Sequence, residues 1–232
     1  MYKGLPMGDI SIPKMSKTSV GWASEIAAAT ATGVTFENVV LSPKRITGYI
    51  DISKMLLAQD THNAEDAIRR DIVNALNSKL QQTFFGDEAK TDDKPAGLFN
   101  GQTLEEVEDF AGIANLEAAV DDENVKGERK YVGSNKAKAA FRVMPKSALT
   151  NELLMNSGEI DGTPFIATSD IADKKFVYGD FSSIAIGSWG NVELTVDPYT
   201  TAINGCVRLI INSYWDWTVV RPEGLKFGKI KE

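Results

Sequence analysis

The chain has 232 residues, of which 43% are hydrophobic and 25% are charged, and these fractions are ordinary for a folded protein. Its 32 acidic and 25 basic residues give a net charge of −7, which disfavours sequence-specific binding of DNA or RNA. A single cysteine, Cys206, and a single histidine, His62, exclude an internal disulfide and a Cys/His zinc site.

No stretch of the sequence has the features of a membrane helix or a secretory signal. The longest apolar runs are far shorter than the roughly 18 residues that span a bilayer. The first residues, MYKGLPMGDISIPK, lack the apolar core of a signal peptide. We therefore expect a soluble protein that is made in a cytoplasm and has no membrane partner.

Residues 1–17 are punctuated by Gly and Pro and are predicted to be extended. The next segment predicts a β-hairpin, because apolar residues alternate from Val34 to Leu41 and again from Ile46 to Ile52. Its predicted tip, residues 27–33, reads AAATATG and offers almost nothing to bury. Small side chains allow a backbone to run close to another molecule, so one explanation is an arm that packs against a second copy.

The strongest helix signal covers residues 63–85. Asn63 is the predicted N-cap, Asp66 follows three residues later, and Gly86 is the predicted stop. Apolar residues recur at every fourth position and predict one buried stripe, made of Ile68, Ile72, Leu76, Leu80 and Phe84. Arg69 and Arg70 are predicted to face outward from a helix about 33 Å long.

A polar loop follows, and then the sequence predicts a second amphipathic helix over 103–120. Thr103 and Glu106 form its predicted capping box, and Leu104 and Val107 are assigned to its buried face. Farther along, KYVGSNKAKAAFRVM predicts a short strand that leads into a helix capped by Ser134 or Asn135.

The last third of the chain predicts strands, in TPFIATSD, KKFVYGDF, IAIGSWGNVELTVD and GCVRLIINSYWDWTVV. Helices and strands do not alternate regularly, which indicates an α+β fold rather than a wound parallel sheet. Within the last strand Trp215 and Trp217 share one face and Asp216 lies on the other. Such a Trp pair is typical of a sugar platform, of core packing or of a subunit contact, and the last two are favoured. Cys206 begins this strand and is predicted to be a buried, inert thiol.

No pattern indicates a catalytic residue, a cofactor or a metal. His62 lies in a turn, and no G-x-S-x-G motif supplies a nucleophile for it to activate. Neither G-x-G-x-x-G nor the spacing of a P-loop occurs. The cluster Asp121, Asp122 and Glu123 lacks the ligand spacing of a calcium loop and predicts a solvated turn. A pair of carboxylates for acid/base chemistry stays open, because 32 acidic residues always include some close pairs.

Taken in chain order, many short segments resemble those of the tailed-bacteriophage major capsid protein family, which has the Hong Kong 97-like shell fold. The resembling segments are ISIPK, GWASE, VTFENVVLSPKRITGYIDIS, ML, FFGD, KPAGLF, KYVGSNKAKAAFRVM, GTPFIATSDI, VYGDFSSIAIG and WTVVRPEGLKFG. No single segment is diagnostic. The specificity of the resemblance comes from their order over nearly the whole chain.

The resemblance implies a peripheral domain built on a long spine helix and long strands, an axial domain, and a protruding extended β-hairpin loop that lies over a neighbouring subunit. The implied division is a short N-terminal arm over 1–17, the extended loop over 18–53, the peripheral domain over 54–100 and 188–220, and the axial domain over 101–187 and 221–232.

The same resemblance singles out three groups of residues by element, of which only the first, in the extended loop, is assigned to contacts between subunits. Those of the extended loop are Trp22, Glu25, Ile26, Ala29, Thr32, Phe36, Lys44 and Arg45. Those of the spine helix are Asn63, Ile68, Arg69, Arg70, Ile72, Leu76, Leu80 and Phe84. Those of the peripheral-domain strand are Trp215, Asp216 and Trp217.

The function implied is that of a structural head protein, which self-assembles into hexamers and pentamers of an icosahedral phage or prophage shell around double-stranded DNA. Copies of the chain would be its main partners, with a scaffolding protein, a portal and a decoration protein as further candidates. Packaged DNA would be held only non-specifically. The chain would be part of the virion, assembled in the cytoplasm of a bacterial host, with no cofactor and no enzymatic activity.

Two features depart from the family pattern. Some members join subunits by a Lys–Asn isopeptide bond near the tip of the extended loop, but no Lys occurs here between Lys17 and Lys44, so no such cross-link is expected. ISIPK begins at Ile10, which leaves a shorter N-terminal arm than the family has. We therefore expect either a cut or processed chain or the use of a separate scaffold.

Three alternatives remain open at this point. An encapsulin-type cellular compartment shares the fold but encloses enzymes. A carboxylate-dependent hydrolase would use Trp215 and Trp217 as a sugar platform. A monomeric binding module would fold the arm back onto its own chain.

Overall fold

The computed structural model describes residues 1–15, 22, 33, 35–58, 64–125, 127–147 and 152–231. The helices are α1 (Lys54–Ala58), α2 (Ala64–Phe84), α3 (Phe110–Asp121) and α4 (Asn135–Val143). The strands are β1 (Tyr2–Leu5), β2 (Ile10–Met15), β3 (Phe36–Leu41), β4 (Lys44–Ser53), β5 (Leu104–Val107), β6 (Arg129–Ser134), β7 (Met155–Asn156), β8 (Glu159–Ile160), β9 (Thr163–Thr168), β10 (Lys175–Asp180), β11 (Ile184–Asp197), β12 (Cys206–Val219) and β13 (Leu225–Ile230). This mixture of helices and strands confirms the α+β class.

Most strands belong to two sheets. The four-stranded sheet has the order β1-β11-β12-β4, and the seven-stranded sheet has the order β5-β13-β10-β6-β9-β8-β7. β2 and β3 form a separate two-stranded antiparallel hairpin. Residues near both ends of the chain enter the sheets, since β1 pairs in parallel with β11 and β13 pairs with β10 and β5.

Helix α2 packs on one face of the four-stranded sheet. The two longest strands, β11 and β12, have 14 residues each, and β12 also pairs with the whole of β4. Ile72 and Leu76 of α2 are buried in a cluster with Ile211 of β12. Ile68 and Leu80 are half-buried on the same stripe. These positions confirm the predicted apolar stripe.

The largest core lies where helices α3 and α4 pack on the seven-stranded sheet. It includes five buried aromatic side chains: Tyr131, Phe141, Phe165, Phe176 and Tyr178. The rings of Phe141 and Phe176 meet edge to face with their centroids 5.2 Å apart, which is a favourable aromatic geometry. A Cβ atom on Gly228 of β13 would lie 2.4 Å from the Phe176 ring, so this close approach requires glycine.

The predicted strand and helix in KYVGSNKAKAAFRVM are confirmed as β6 and α4. Ser134 caps α4, because its hydroxyl accepts a hydrogen bond from the backbone N–H of Ala137 at 3.0 Å. The four strands predicted in the last third are confirmed as β9, β10, β11 and β12.

The helix predicted over 103–120 is wrong in its first part. Residues 104–107 form β5, which pairs in parallel with β13. Asp109, not Thr103, caps α3, because its carboxylate accepts a hydrogen bond from the backbone N–H of Gly112 at 2.9 Å. The apolar spacing is compatible with either element, and the pairing with a strand near the other end of the chain decides the outcome.

The hairpin also uses different strands from those predicted. β3 pairs with β2, from Ile10↔Leu41 to Met15↔Phe36, so the first hairpin strand lies upstream of residue 18. The alternating residues of β4 belong instead to the four-stranded sheet. Pro43 separates β3 from β4, since proline lacks a backbone N–H for a ladder and restricts the residue before it. Residues 27–32 of the predicted tip lie outside the described residues.

Candidate subunit interface

The β2–β3 hairpin has a small apolar core at one end. Leu41, the last residue of β3, is fully buried in a cluster with Trp189 of β11. Ile10 and Ile12 of β2 pack against the same cluster. Trp189 Nε1 also donates a hydrogen bond to the carbonyl oxygen of Gly8 at 2.9 Å. This end of the hairpin is therefore held to the four-stranded sheet.

The other end of the hairpin exposes large apolar side chains. Met15 and Phe36 are direct partners across the two strands, and they are 57% and 70% exposed. Trp22 lies in the segment between β2 and β3 and is fully exposed. Large apolar side chains that are exposed side by side, as Met15 and Phe36 are, are typical of a surface that another chain covers.

The residues predicted for the extended loop fall into three groups. Trp22 and Phe36 are exposed as described. Four others lie outside the described residues: Glu25, Ile26, Ala29 and Thr32. Lys44 and Arg45 do not belong to the hairpin, because they lie in β4 opposite Trp215 and Tyr214 of β12. The part that these residues take in subunit contacts stays a prediction.

The outward side of α2 is polar. Arg70 is exposed and its Nε donates a hydrogen bond to a backbone carbonyl one turn earlier at 3.2 Å, whereas Arg69 is half-buried. Phe84, in the last turn, meets Trp217 edge to face with ring centroids 5.5 Å apart. Asn63, the predicted N-cap, lies outside the described residues. The helix is thus fixed to β12 along its apolar stripe and leaves a polar side accessible.

Trp215 and Trp217 both line a cleft between β4 and the last turns of α2, but their rings are packed against the protein rather than fully exposed. Trp217 is buried, and its Nε1 donates a hydrogen bond to the carbonyl oxygen of Ala96 at 2.7 Å. Trp215 is half-buried, and its Nε1 donates to the hydroxyl of Ser213 at 2.7 Å. A sugar platform requires exposed ring faces, so the buried Trp217 contradicts the hydrolase alternative that relied on this pair.

Asp216 has no exposed surface although it carries a carboxylate. Its Oδ2 accepts a hydrogen bond from the backbone N–H of Ser42 at 2.9 Å, and its Oδ1 accepts one from the N–H of Trp217 at 2.9 Å. The Lys90 ammonium lies 3.5 Å from Oδ2. Because Ser42 joins β3 to β4, this carboxylate ties the base of the hairpin to β12.

The face of the four-stranded sheet opposite α2 carries an ion pair that sequence reasoning missed. Arg208 donates from Nε and Nη2 to the two carboxylate oxygens of Asp51 at 2.7 and 2.8 Å, and its guanidinium lies 4.1 Å over the ring of Tyr49. The hydrogen bond from Arg208 holds the pKa of Asp51 below its usual range. The alternation of side chains along a strand places Tyr49, Asp51 and Arg208 on this face. Only the register of β4 on β12 brings the three residues together.

A second exposed apolar group lies at the turn between β11 and β12. Tyr199 and Ile203 project from this turn and are almost completely exposed. The backbone N–H of Lys54 donates to the carbonyl oxygen of Gly205 at 2.9 Å, which holds the start of α1 beside the turn. Met55, the next residue of α1, is also exposed. This group adds a second surface suited to a protein partner.

One carboxylate, Glu117 of α3, is half-buried against the seven-stranded sheet. The hydroxyl of Tyr131 donates a hydrogen bond to its Oε1 at 2.6 Å. Burial raises the pKa of Glu117, the hydrogen bond from Tyr131 lowers it, and the carboxylates of Asp161 and Asp121 raise it further. Burial also raises the pKa of Tyr131.

Two further sequence predictions concern chemistry. Within the part of the chain that the structure describes, no three His, Cys, Asp or Glu side chains are grouped so that they could hold a metal ion. Cys206 is a free, half-buried thiol at the start of β12 rather than a fully buried one, and His62 lies outside the described residues. None of the described helices combines the length and apolarity needed to span a membrane.

Comparison of the sequence with known proteins gives consistent matches. The sequence model described as the phage capsid family matches residues 6–230. The major capsid protein of Halomonas phage phiHAP-1 is 27% identical over 229 residues, which are 96% of this chain and 38% of that protein. The major capsid protein of Klebsiella oxytoca phage phiKO2 is 22% identical, over 97% of this chain and 60% of that protein. The chain therefore spans less than two thirds of the length of both relatives.

Solved structures share the fold over the whole chain. The capsid of a native GTA particle superimposes with a TM-score of 0.80 at 17% identity, covering 100% of this chain and 88% of that one. A structure from Mycobacterium phage Adephagia gives a TM-score of 0.78 at 13% identity, with the same two coverages. The predicted Hong Kong 97-like shell fold is thereby confirmed.

Proposed function

Because this chain belongs to the phage capsid family, we propose that it is the structural subunit of an icosahedral phage or prophage head that encloses double-stranded DNA. The observation that carries the proposal is the family match over residues 6–230, which includes the hairpin and every strand of the two sheets except β1. On this proposal the chain works by contact with copies of itself and not by catalysis.

The hairpin is the element best suited to reach a neighbouring subunit. Its inner end is fixed by Leu41 and by the hydrogen bond from Ser42 to Asp216, and its outer end exposes Met15 and Phe36. Covering a side chain as large as Phe36 contributes roughly 1.5–3 kcal/mol of hydrophobic free energy. Such a contact would be repeated around each ring and over the shell, so many modest contributions would together stabilise the assembly.

The two sheets correspond to two proposed roles. The four-stranded sheet with α2 would form the peripheral part of the subunit, and the seven-stranded sheet with α3 and α4 would form the axial part around the centre of a hexamer or pentamer. A scaffolding protein, a portal and a decoration protein are the further partners proposed. The net charge of −7 suits a wall that encloses DNA without binding it tightly. Assembly would take place in the cytoplasm of a bacterial host.

The test is the assembly state of the purified chain. We expect light scattering over a range of concentrations, with negative-stain images of each peak, to give rings of five or six subunits or closed shells. Deletion of residues 27–33 should weaken this assembly without unfolding the subunit, because the Leu41 cluster lies outside the deletion. A wild-type chain that stays at its monomer mass of 25.3 kDa at every concentration contradicts self-assembly of this chain.

The contents of the shells separate a virus head from a compartment for enzymes. Shells recovered from cells should contain nuclease-protected double-stranded DNA. Shells that instead contain one enriched enzyme and no DNA would indicate the encapsulin-type alternative.

A further inference from the structure

A cleft of about 400 Å³ lies beside the outer edge of β4. Its sides are residues 44–47 of β4, the last turns of α2 and the loop that contains residues 88–95, and Trp215 and Trp217 also line it. Among the described strands, β4 is the outermost of its sheet and pairs only with β12. An unpaired strand edge presents backbone N–H and C=O groups that can pair with an added strand.

The cleft is basic although the whole chain is acidic. Its charged side chains are Lys44, Arg45, Lys79 and Lys94 against Glu88 and Asp93. Lys94 forms an ion pair with Glu88. Within the described part of the chain, the side chain of Arg45 makes no hydrogen bond or ion pair, and the Lys79 ammonium donates to the neutral amide oxygen of Gln82. The four basic side chains of the cleft outnumber its two acidic ones, so the cleft keeps a positive excess even though Lys79 lies close enough to Glu88 to lower the pKa of that carboxyl.

The lining of the cleft favours a protein segment over a nucleic acid. The indole N–H of the half-buried Trp215 is already hydrogen-bonded to Ser213, so this residue offers apolar ring surface to the cleft. Glu88 and Asp93 would repel the continuous phosphates of a nucleic acid. In a bound strand, successive side chains point to opposite faces, so its carboxylates can point away from Glu88 and Asp93. An extended peptide can contact the apolar ring surface and place its carboxylates toward Arg45 and Lys79, away from Glu88 and Asp93.

The chain itself contains a segment of this kind. Residues 104–109 read LEEVED, and the four carboxylate side chains are exposed: Glu105, Glu106, Glu108 and Asp109. Most of this segment is β5, which is the outermost strand of the seven-stranded sheet and, among the described strands, pairs only with β13. One copy thus has a basic cleft at one sheet edge and an acidic strand at another sheet edge. Complementary patches of this type on one chain allow head-to-tail contacts, which can close into rings.

We propose that the basic cleft beside β4 binds the acidic edge strand β5 of a second copy, an inference that rests on the proposed self-assembly. In the contact, the β5 backbone would add to the edge of β4. Glu105 and Glu106 would meet Arg45 and Lys79.

The first experiment uses charge reversal in the full chain. We expect R45E/K79E to require an at least tenfold higher concentration for self-association, because like charges would then face each other. The matched control K3E/K136E makes the same change in net charge at two exposed lysines outside the cleft, and it should assemble as the wild type does. Adding E105K/E106K to R45E/K79E should restore assembly. If wild type and R45E/K79E assemble alike, the inference is wrong while the proposed function stands.

The second experiment tests the cleft without requiring assembly. The synthetic peptide TLEEVED, which corresponds to residues 103–109, contains no aromatic residue, so tryptophan emission reports on the protein alone. We expect a saturable change in emission with the wild type that is lost in R45E/K79E, and no change with the neutral peptide TLQQVQN. Absence of any change overturns the inference even if the wild type is monomeric. Binding of a short DNA duplex in place of the peptide, lost in R45E/K79E, would also overturn it.

Discussion

At the scale of single residues, the buried carboxylate of Asp216 fixes the base of the hairpin, because it accepts a hydrogen bond from the N–H of Ser42. A carboxylate without exposed surface requires hydrogen bonds and a counter-charge, and Ser42, Trp217 and Lys90 supply them. The sequence contains one signal of this role, an acidic residue within an apolar strand. It contains no signal that identifies Ser42 as the partner, because the two residues meet only when β3 and β12 are in place.

Replacement of Asp216 by alanine should lower the free energy of unfolding by about 2–3 kcal/mol, because the buried N–H of Trp217 and the half-buried N–H of Ser42 lose their acceptor. Asp216→Asn should cost less, since the amide oxygen can still accept one of these hydrogen bonds. Urea denaturation measures both values. Glu128→Ala, at a carboxylate in an exposed ion pair with Lys130, is the control and should have little effect. Equal stability of Asp216→Ala and the wild type would contradict the role of the carboxylate.

Glu117 predicts a dependence of stability on pH. Its pKa is raised in the folded state, mainly by burial, so folding favours the protonated form. The resulting stabilisation is fully present below the unfolded pKa of about 4.5 and is lost as the pH rises through the higher folded value. Glu117→Gln keeps an acceptor for Tyr131 and removes the charge. We expect it to be more stable than the wild type at pH 7, with the difference shrinking toward pH 4.

Urea denaturation between pH 4 and pH 8 measures this difference. Glu159→Gln, at an exposed carboxylate, should follow the wild-type curve at every pH. A variant Glu117→Gln that is less stable than the wild type at pH 7 would mean that the charge-assisted hydrogen bond from Tyr131 outweighs burial.

At the scale of elements, the sequence predicts those parts whose stabilising contacts are local or repeat with a clear period. The stripe of α2 and the cap of α4 belong to this class, since 3.6-residue periodicity and a Ser before a helix are visible without the rest of the chain. β5 and the hairpin pairing do not belong to it. Their partners, β13 and β2, are remote in sequence or separated by a long connection, and short apolar runs fit strand and helix alike.

Glycine at position 228 is required by the packing of β13 on the aromatic core. Gly228→Ala should lower the free energy of unfolding by about 2–3 kcal/mol, because its Cβ would overlap the ring of Phe176. Gly48→Ala is the matched control in β4, where a Cβ would meet only Ile211 at 3.7 Å. That variant should be neutral or slightly stabilising, because alanine loses less backbone entropy on folding. Equal effects of the two substitutions in urea denaturation would contradict the packing argument.

At the scale of the whole molecule, the order of short motifs predicted the fold and the family, although no single motif did. The candidate interface was less predictable. Trp215 and Trp217 were correctly favoured as packed residues, but the Arg208–Asp51 pair and the basic cleft arise only from the register of β4 on β12. Contacts between subunits depend on where such surfaces lie, which a single sequence does not encode in any local pattern.

One prediction at this scale concerns covalent joining of subunits. No Lys occurs between Lys17 and Lys44, so a lysine-dependent isopeptide bond cannot form from residues 18–43. Assembled particles should therefore give one band near 25.3 kDa on a denaturing gel. A ladder of higher masses that survives boiling and reduction would contradict this prediction.

The parallel pairing of β1 with β11 determines when these strands can fold during synthesis of the chain. Tyr2 pairs with Gly187, and Ile10 and Ile12 pack against Trp189, so these residues find their partners only after the chain has been made as far as residue 189. At about 5–20 residues per second, a ribosome takes about ten to forty seconds to travel from one partner to the other. During that interval the hairpin cannot pack against Trp189, because β11 has not yet been made. A nascent chain thus cannot anchor the hairpin to the four-stranded sheet until β11 has been made.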